Sequence, residues 1–280
     1  KSVHKLPIRA FFDIIFLTAE TRTEDVMYIS DMFGTKKTLW SFEIFPPKPT
    51  ADIDGIKRTV GALADLRPDY VSVTCSAGGS GNSRTIAQML RDDFGVEPLA
   101  HLTCINSTKE DISASLEKLS AAGIDNVLAL RGDRIAGAAP SPDFSHADEL
   151  VRYIRGKGYA FDIAGACYPE GHPESADPVE DINNLKRKVE AGVTHLNSQL
   201  FYDNDDFFRF SERLALAGIT VPVQAGIMPL VKKSTVDRII GLTGAKIPNK
   251  ISRMISRFYD DPDSLMEAGI AYATDQIVDL

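Results

Sequence analysis

Residues 99–131, LAHLTCINSTKEDISASLEKLSAAGIDNVLALR, contain two short apolar runs separated by one amphipathic run. The apolar runs, 99–104 and 126–131, have the length and composition of buried strands. Between them, SASLEKLSAAG (113–123) has helical spacing and ends at a glycine, which commonly terminates a helix. A strand, a helix and a second strand in this order predict two parallel strands joined by a helical crossover.

The same strand and helix unit recurs along the chain. Five further strand candidates are 39–45, 70–75, 162–168, 195–201 and 221–227. Seven units at a spacing of about 30 residues predict an α/β fold of the (β/α)₈ TIM-barrel type rather than an open sheet. Helices are predicted near 231–244 and 262–279, and no segment before Leu280 offers an eighth strand. Because an open barrel exposes two strand edges, we expect that the last strand and helix are missing from this chain.

The N-terminal segment differs from the rest of the chain. Residues 1–19, KSVHKLPIRAFFDIIFLTA, are basic and then apolar like a signal, but Asp13 interrupts the apolar part. Met32 precedes FGTKKTLWSFE, which is typical of a natural protein start. We therefore predict an N-terminal extension over 1–38, partly disordered or a misassigned start, and one catalytic barrel over 39–280.

Composition excludes several classes of protein. The net charge of -8 disfavours a nucleic-acid partner, which needs clustered lysine and arginine. No apolar run approaches the roughly 20 residues of a membrane-spanning helix, so no membrane partner is expected. The three cysteines, Cys75, Cys104 and Cys167, lack the spacing of a disulfide framework or a zinc site. We interpret them as buried core residues in a reducing, cytoplasmic compartment, and we expect no metal.

Polar side chains stand at or near the carboxyl ends of the predicted strands. They are Glu43, Thr74, His101, the Arg131-Gly132-Asp133 turn, Tyr168 and Gln199. Each residue alone has a structural explanation, since a histidine or glutamine on a strand is usually a hydrogen-bonded core residue. Together they indicate a site, because the carboxyl ends of barrel strands meet at one mouth. A glutamate inside an apolar strand is costly unless it is paired, neutralised or used, and this directs attention to Glu43.

One helical segment carries a polar stripe. In DPVEDINNLKRKVEAG (177–192), Asp181, Asn184, Arg187 and Lys188 fall on one face of the predicted helix. Such a stripe is either a solvated surface or a contact for phosphate and ribose, which suit arginine's forked donors. The chain has no glycine-rich fingerprint after a strand, and SAGGSGNSR (76–84) lacks the required third glycine. A bound dinucleotide would therefore not be held in the Rossmann manner.

Seven motifs together resemble one known family. They are SFEIFPPK, VSVTCSAGG, AHLTCIN, ALRGD, YPEGHPE, NLKRKVEAG and SQLFYD. In order and spacing they are similar to the 5,10-methylenetetrahydrofolate reductases, over about residues 39–279. The similarity is to the bacterial-type catalytic barrel, without the regulatory domain of the animal enzymes.

The resemblance implies an FAD enzyme that passes a hydride from NADH or NADPH to methylenetetrahydrofolate, a reduced folate, in a ping-pong reaction. It implies that Glu43 is the proton donor and that Asp133 lies beside flavin and folate. Gln199 would touch the substrate and the nicotinamide, and Thr74 would lie near the nicotinamide and flavin. The cofactor contacts that it implies are Thr74, Ala77, His101, Arg131, Gly132, Asp133, His146, Ala147, Tyr168, His172, Asp181, Asn184, Arg187 and Lys188.

Two other functions stay open from the sequence. One is a barrel pterin methyltransferase that uses a corrinoid partner, which would need no basic helix for a diphosphate. The other is a non-catalytic subunit that binds folate or flavin within a larger complex. The resemblance also implies a homo-oligomer, and the sequence does not choose between NADH and NADPH.

Overall fold

The computed structural model describes residues 27–46, 53–75, 82–134, 137, 141–232 and 245–280. Its one sheet has seven parallel strands in the order β1 to β7, and each strand pairs with the next one along the chain. The strands are β1 (Ser41–Ile44), β2 (Tyr70–Val73), β3 (Glu97–Thr103), β4 (Asn126–Leu130), β5 (Asp162–Cys167), β6 (His195–Leu200) and β7 (Val223–Gly226). This order confirms the predicted α/β fold of the barrel type, with seven of its strands.

Helices alternate with the strands, as the sequence pattern predicts. They are α1 (Ile29–Thr35), α2 (Ile53–Ala64), α3 (Asn82–Phe94), α4 (Lys109–Ala121), α5 (Ala147–Gly156), α6 (Pro178–Ala191), α7 (Asn204–Leu216), α8 (Asn249–Arg257) and α9 (Pro262–Asp279). The predicted helix at 262–279 is confirmed as α9, whereas that at 231–244 lies almost wholly outside the described residues. No helix in the described part of the chain is both long and apolar enough to span a membrane.

Side chains alternate between the two faces of the sheet, and each face has its own core. Val71, Val127 and Ile163 pack against the surrounding helices in the larger cluster. Leu99 and Leu128 face the concave side, in a smaller cluster that also contains Tyr70, Ala164, Ile29 and Met32. The period of two along a strand explains this division, because successive residues point to opposite faces.

Helix α1 closes the amino-terminal end of the barrel, although it lies within the predicted extension. Ile29 is fully buried there, and its N–H donates to Oδ1 of Asn126 at 2.9 Å. The N–H of Ser30 donates to Oδ2 of Asp162 at 2.8 Å. These bonds satisfy amide groups that the first turn of a helix leaves without partners. The structure thus attaches this part of the segment to the barrel.

The sheet curls until its two edge strands approach each other. Gln224 on β7 donates from Nε2 to Oγ of Ser41 on β1 at 2.8 Å, and its Oε1 accepts from the hydroxyl of Tyr70 on β2. Strands β1 and β7 stand at opposite ends of the strand order. A flat sheet would hold them roughly 29 Å apart, at about 4.8 Å per strand spacing, so these contacts require strong curvature.

The cysteine prediction is confirmed for two of the three residues. Cys104 and Cys167 are buried, and no disulfide joins the cysteines. Cys75 is half-buried instead, because it follows the end of β2 and lies outside the tightly packed part of the sheet.

Candidate active site

Glu43 and His101 meet at the carboxyl ends of β1 and β3. Oε2 of Glu43 lies 3.7 Å from Nε2 of His101, and the same nitrogen is 2.7 Å from Oγ of Ser72 on the intervening β2. The register places Glu43 opposite Ser72 and Ser72 opposite Leu99, two residues before His101. All three polar side chains therefore point to the concave side of the sheet, near the carboxyl-terminal face at which barrel enzymes have their active sites.

Burial sets the protonation of this group. The His101 side chain is 8 % exposed, and burial lowers the pKa of its imidazole to about 4. The Glu43 side chain is 49 % exposed, yet the protein around its carboxyl raises the pKa of that group by desolvation. At neutral pH the histidine is uncharged, so it stands beside Glu43 as a neutral polar neighbour and not as a cation. A raised pKa is what a carboxyl needs to act as an acid near neutral pH.

The turn after β4 requires a glycine. Gly132 has φ of +82°, and a Cβ at this position would lie 2.8 Å from Cβ of Thr103. A larger residue would therefore be strained in its backbone and would clash with β3. Asn106 secures the other side of the turn, since its Nδ2 donates to the carbonyl of Asp133 at 2.8 Å. Asp133 itself is exposed at the mouth.

Arg131 points from this turn towards the loop between β5 and α6. Its Nη1 and Nη2 donate to the two carboxylate oxygens of Glu174 at 2.5 and 2.8 Å. Tyr168 and His172 lie in the same loop with ring centroids 4.6 Å apart in an edge-on arrangement. Burial raises the pKa of Tyr168, and the positive charge of Arg131 opposes that change.

Helix α6 contributes the basic side of the candidate site. Asn184 accepts a hydrogen bond from Arg187, and Asp181 accepts one from Oγ of Ser175 at 3.1 Å. Lys188 turns inwards and donates from Nζ to the carbonyl of Ala166 on β5 at 2.9 Å. This part of the predicted stripe therefore faces the barrel rather than solvent, and the burial lowers the pKa of the Lys188 amine. Arg187 stays exposed.

Gln199 stands at the end of β6 beside a cavity of about 150 Å³. Tyr168, Glu170 and Lys246 also line this cavity. The side-chain Oε1 of Gln199 accepts from the N–H of Leu200 at 2.8 Å, so its amide nitrogen is directed away from that bond. Gln199 and Tyr168, two of the predicted site residues, therefore line the same cavity.

The remaining predicted residues are Thr74, His146, Ala147 and Ala77. The N–H of Thr74, directly after β2, donates to the carbonyl of Ile44 at 3.0 Å. His146 precedes the first residue of α5, Ala147, and its carbonyl accepts a weak bond from Sγ of Cys104 at 3.8 Å. Ala77 lies outside the described residues, so its predicted flavin contact stays a prediction.

Three further residues enter the site that the sequence did not single out. Ser72 contacts His101, Glu174 contacts Arg131, and Glu170 lines the cavity with one carboxylate oxygen buried and without a hydrogen-bond partner among the described residues. The signal for Ser72 was its inward register, two residues before Thr74. Glu170 and Glu174 both stand in YPEGHPE, but the sequence alone does not show towards which strand a loop carboxylate turns.

A curled parallel sheet with ionisable side chains at the carboxyl ends of its strands is the arrangement found in α/β-barrel enzymes. The chain belongs to the methylenetetrahydrofolate reductase family, whose family model, described as Methylenetetrahydrofolate reductase, matches residues 28–280. The matched range includes α1, so the similarity begins before the predicted barrel boundary at residue 39.

Curated relatives support this membership. The 5,10-methylenetetrahydrofolate reductase of Escherichia coli K12 is 33% identical over 239 residues, which cover 85% of this chain and 80% of the relative. Methylenetetrahydrofolate reductase (NADH) 1 of Zea mays is 35% identical over 263 residues, covering 88% of this chain and 44% of the relative. Methylenetetrahydrofolate reductase 1 of Schizosaccharomyces pombe is 34% identical, and the chain spans 40% of its length. The chain is therefore similar to less than half of these two eukaryotic relatives.

Solved structures agree on the fold. An uncharacterized protein from Clostridium thermocellum that binds two copies of 5-methyl-5,6,7,8-tetrahydrofolic acid superimposes with a TM-score of 0.55 at 12% identity. The superposition covers 89% of this chain and 87% of that one. A 2,3-dimethylmalate lyase superimposes with a TM-score of 0.50 at 8% identity, covering 82% of this chain and 77% of that one. At such low identity these likenesses concern the architecture alone.

Proposed function

We propose that this protein reduces 5,10-methylenetetrahydrofolate to 5-methyltetrahydrofolate with FAD and with NADH or NADPH as the electron donor. Family membership supports the reaction class. The observation that carries the proposal is the half-exposed carboxyl of Glu43. Burial raises its pKa, and it lies beside a neutral histidine at the barrel mouth. Such a carboxyl suits a step that must deliver a proton to a substrate nitrogen.

The proposed role of Glu43 is to hold a proton and donate it to the bound folate, which favours the open, reducible form of the five-membered ring. Its position supports this role, because half of its side chain faces the mouth. His101 would keep Glu43 uncharged by offering it no cation, since the imidazole is itself neutral. We further propose that Asp133 and Gln199 bind the substrate from the turn after β4 and from the end of β6.

The side chains of the candidate site fit a dinucleotide such as FAD. Arg131, Arg187 and Lys188 supply cationic donors, as an anionic diphosphate requires. The Lys188 amine faces inwards, towards β5, and marks the side of the site on which an anion would be stabilised. Tyr168 and His172, which pack edge to face, offer partly apolar aromatic surface beside these donors. FAD would supply the hydride-transfer chemistry, while the protein supplies binding, orientation and the proton.

The direct test is spectroscopic. We expect the purified protein, supplied with FAD, to show a flavin absorbance spectrum that is bleached anaerobically by NADH or NADPH. Addition of 5,10-methylenetetrahydrofolate should restore the oxidised spectrum. A protein that does not bind added FAD would contradict the proposal, and a flavin-independent methyltransferase would then stay a possible function. A flavin that is never bleached by either nicotinamide would instead indicate a non-catalytic binding subunit.

The proposed homo-oligomer rests on the resemblance alone. Sedimentation or light scattering of the purified protein will give the number of subunits. A monomer at micromolar concentration would contradict it.

A further inference from the structure

Glu174 joins two loops that carry the predicted cofactor contacts. Its carboxylate accepts two parallel hydrogen bonds from Arg131, which is 43 positions away in the sequence, in the turn after β4. Its backbone N–H donates to Nδ1 of His172 at 3.1 Å. Glu174 thus contacts both the guanidinium of Arg131, in the turn after β4, and the imidazole of His172, in its own loop.

The two bonds from Arg131 fix the plane of its guanidinium. A forked pair of this kind allows one orientation, whereas a single bond leaves the group free to rotate. The only other hydrogen bond that the described residues give this side chain is a long one, 3.4 Å from Nε to the carbonyl of Gly132. The arginine therefore depends on Glu174 for its direction. Arg131 lowers the pKa of Glu174 to about 2, so the carboxylate stays charged in neutral solution.

The bond to His172 selects a tautomer. A backbone N–H can only donate, so Nδ1 of His172 must accept, and in the neutral ring the proton sits on Nε2. Burial is the main reason that the pKa of His172 is lowered, and the charge of Arg131 acts in the same direction. The neutral ring therefore presents one N–H donor, at Nε2, on the side away from Glu174.

The backbone of Glu174 is itself held in place. On one side the N–H of Ser175 donates to the carbonyl of His172 at 3.0 Å, and Oγ of Ser175 donates to Asp181. Further along, the N–H of Ala176 donates to Oε2 of Glu180 at 2.6 Å, where α6 begins. The loop is thus tied to the same helix that carries the basic stripe, so Glu174 is a fixed point rather than a freely moving surface residue.

We propose that Glu174 is a positioning residue of the cofactor site, which orients Arg131 and His172 as donors for an anionic dinucleotide. This inference rests on the proposed function for the identity of the ligand. It does not place Glu174 in contact with the cofactor. The carboxylate acts through Arg131, and the backbone acts through His172.

A competing role for Glu174 predicts the opposite change in anion affinity when its charge is removed. If Glu174 merely occupied Arg131 until an anion displaced it, removing its charge would strengthen anion binding, because the site would become more positive. If it positions the arginine, removing its charge weakens binding although the local charge becomes more favourable. The exposed fraction of its side chain, 61 %, means that its replacement should barely change the stability of the fold.

The test compares Glu174→Gln with Glu190→Gln by FAD titration of the cofactor-free protein. Glu190 is an exposed carboxylate near the opposite end of α6, so its change removes the same charge away from the loop. We expect Glu174→Gln to bind FAD about tenfold more weakly than wild type, by analogy with the affinity lost when outer-shell partners of metal ligands are removed. Glu190→Gln should match wild type, and the urea midpoint should be the same for all three proteins.

A second measurement needs no cofactor. Nitrogen-15 relaxation of arginine side chains should show an ordered Arg131 Nε–H in wild type and a mobile one in Glu174→Gln. Equal or tighter FAD binding by Glu174→Gln, or a mobile Arg131 in wild type, would overturn the inference. Wild-type protein that binds no FAD would overturn the proposed function instead, and the relaxation data would then still decide whether Glu174 orients the arginine.

Discussion

The imidazole of His101 on β3 reaches past β2 to within 3.7 Å of the Glu43 carboxylate on β1. Ser72 on the strand between them holds the same imidazole nitrogen at 2.7 Å. The contact therefore depends on three neighbouring strands in one register. It joins a histidine that burial keeps neutral to a carboxyl whose pKa burial raises, and these two properties lead to the first two predictions.

Replacing Glu43 with glutamine should separate the two half-reactions. The change keeps the shape and removes the ionisable proton, so we expect Glu43→Gln to bind FAD and to be reduced by NADH or NADPH like wild type. Reoxidation by methylenetetrahydrofolate should fall at least about 100-fold, the lower end of what a positioned acid contributes. Anaerobic stopped-flow spectroscopy measures both steps. Near-normal folate reduction in the variant would remove Glu43 from the mechanism.

His101 should make the protein sensitive to acid. The unfolded histidine binds a proton at the ordinary pKa of 6.5, while the folded one binds it only near 4, so stability is lost as pH falls through that window. Between pH 7.5 and pH 5 the loss from this residue is about 2 kcal/mol. The His101→Gln variant has no imidazole to protonate, so its unfolding free energy should fall by about 2 kcal/mol less over the same pH interval. Urea unfolding at the two pH values measures this, and parallel losses in both proteins would contradict it.

Gly132 should be intolerant of a side chain. We expect Gly132→Ala to lose about 2 kcal/mol of unfolding free energy or more, since the left-handed backbone and the contact with Thr103 both oppose a Cβ. The matched control is Gly158→Ala, because Gly158 has a similar φ of +77° and a Cβ added there would meet no described atom within 4 Å. The control should lose only about 1 kcal/mol. Equal losses would mean that the approach of β3 does not constrain the turn.

Asp162 should anchor α1 to the barrel. Its carboxylate accepts from the N–H of Ser30 at 2.8 Å and from the hydroxyl of Thr194 at 2.5 Å. Asp162→Ala would leave both donors without this acceptor in a buried region, at a cost of about 2–3 kcal/mol. Glu117→Ala, an exposed change on α4, should stay within about 0.5 kcal/mol of wild type. Chemical denaturation compares them, and a mild effect at Asp162 would mean that the other contacts of α1, among them the bond from Ile29 to Asn126, suffice to hold it.

Much of the fold can be predicted from the sequence because strands and helices produce local patterns of apolar residues. The period-two and helical patterns predict every strand of the described sheet to within a few residues, and the positions of His101 and Glu43 at strand ends single them out. The sequence pattern does not predict helix α8, since its nine residues include few apolar positions to mark a buried face. It places helix α1 in an extension, because nothing in that segment shows that Asn126 and Asp162 supply the hydrogen-bond acceptors for its first turn.

The sequence by itself determined the order of parallel strands, the residue types at their carboxyl ends and the family to which the motifs belong. Only the tertiary structure decided which of those side chains meet. The curl of the sheet brings Gln224 of β7 to Ser41 of β1, and the path of one loop brings Glu174 to Arg131. Periodicity follows from the geometry of a single strand or helix, whereas these contacts depend on how separate elements pack, and that is set by the whole chain at once.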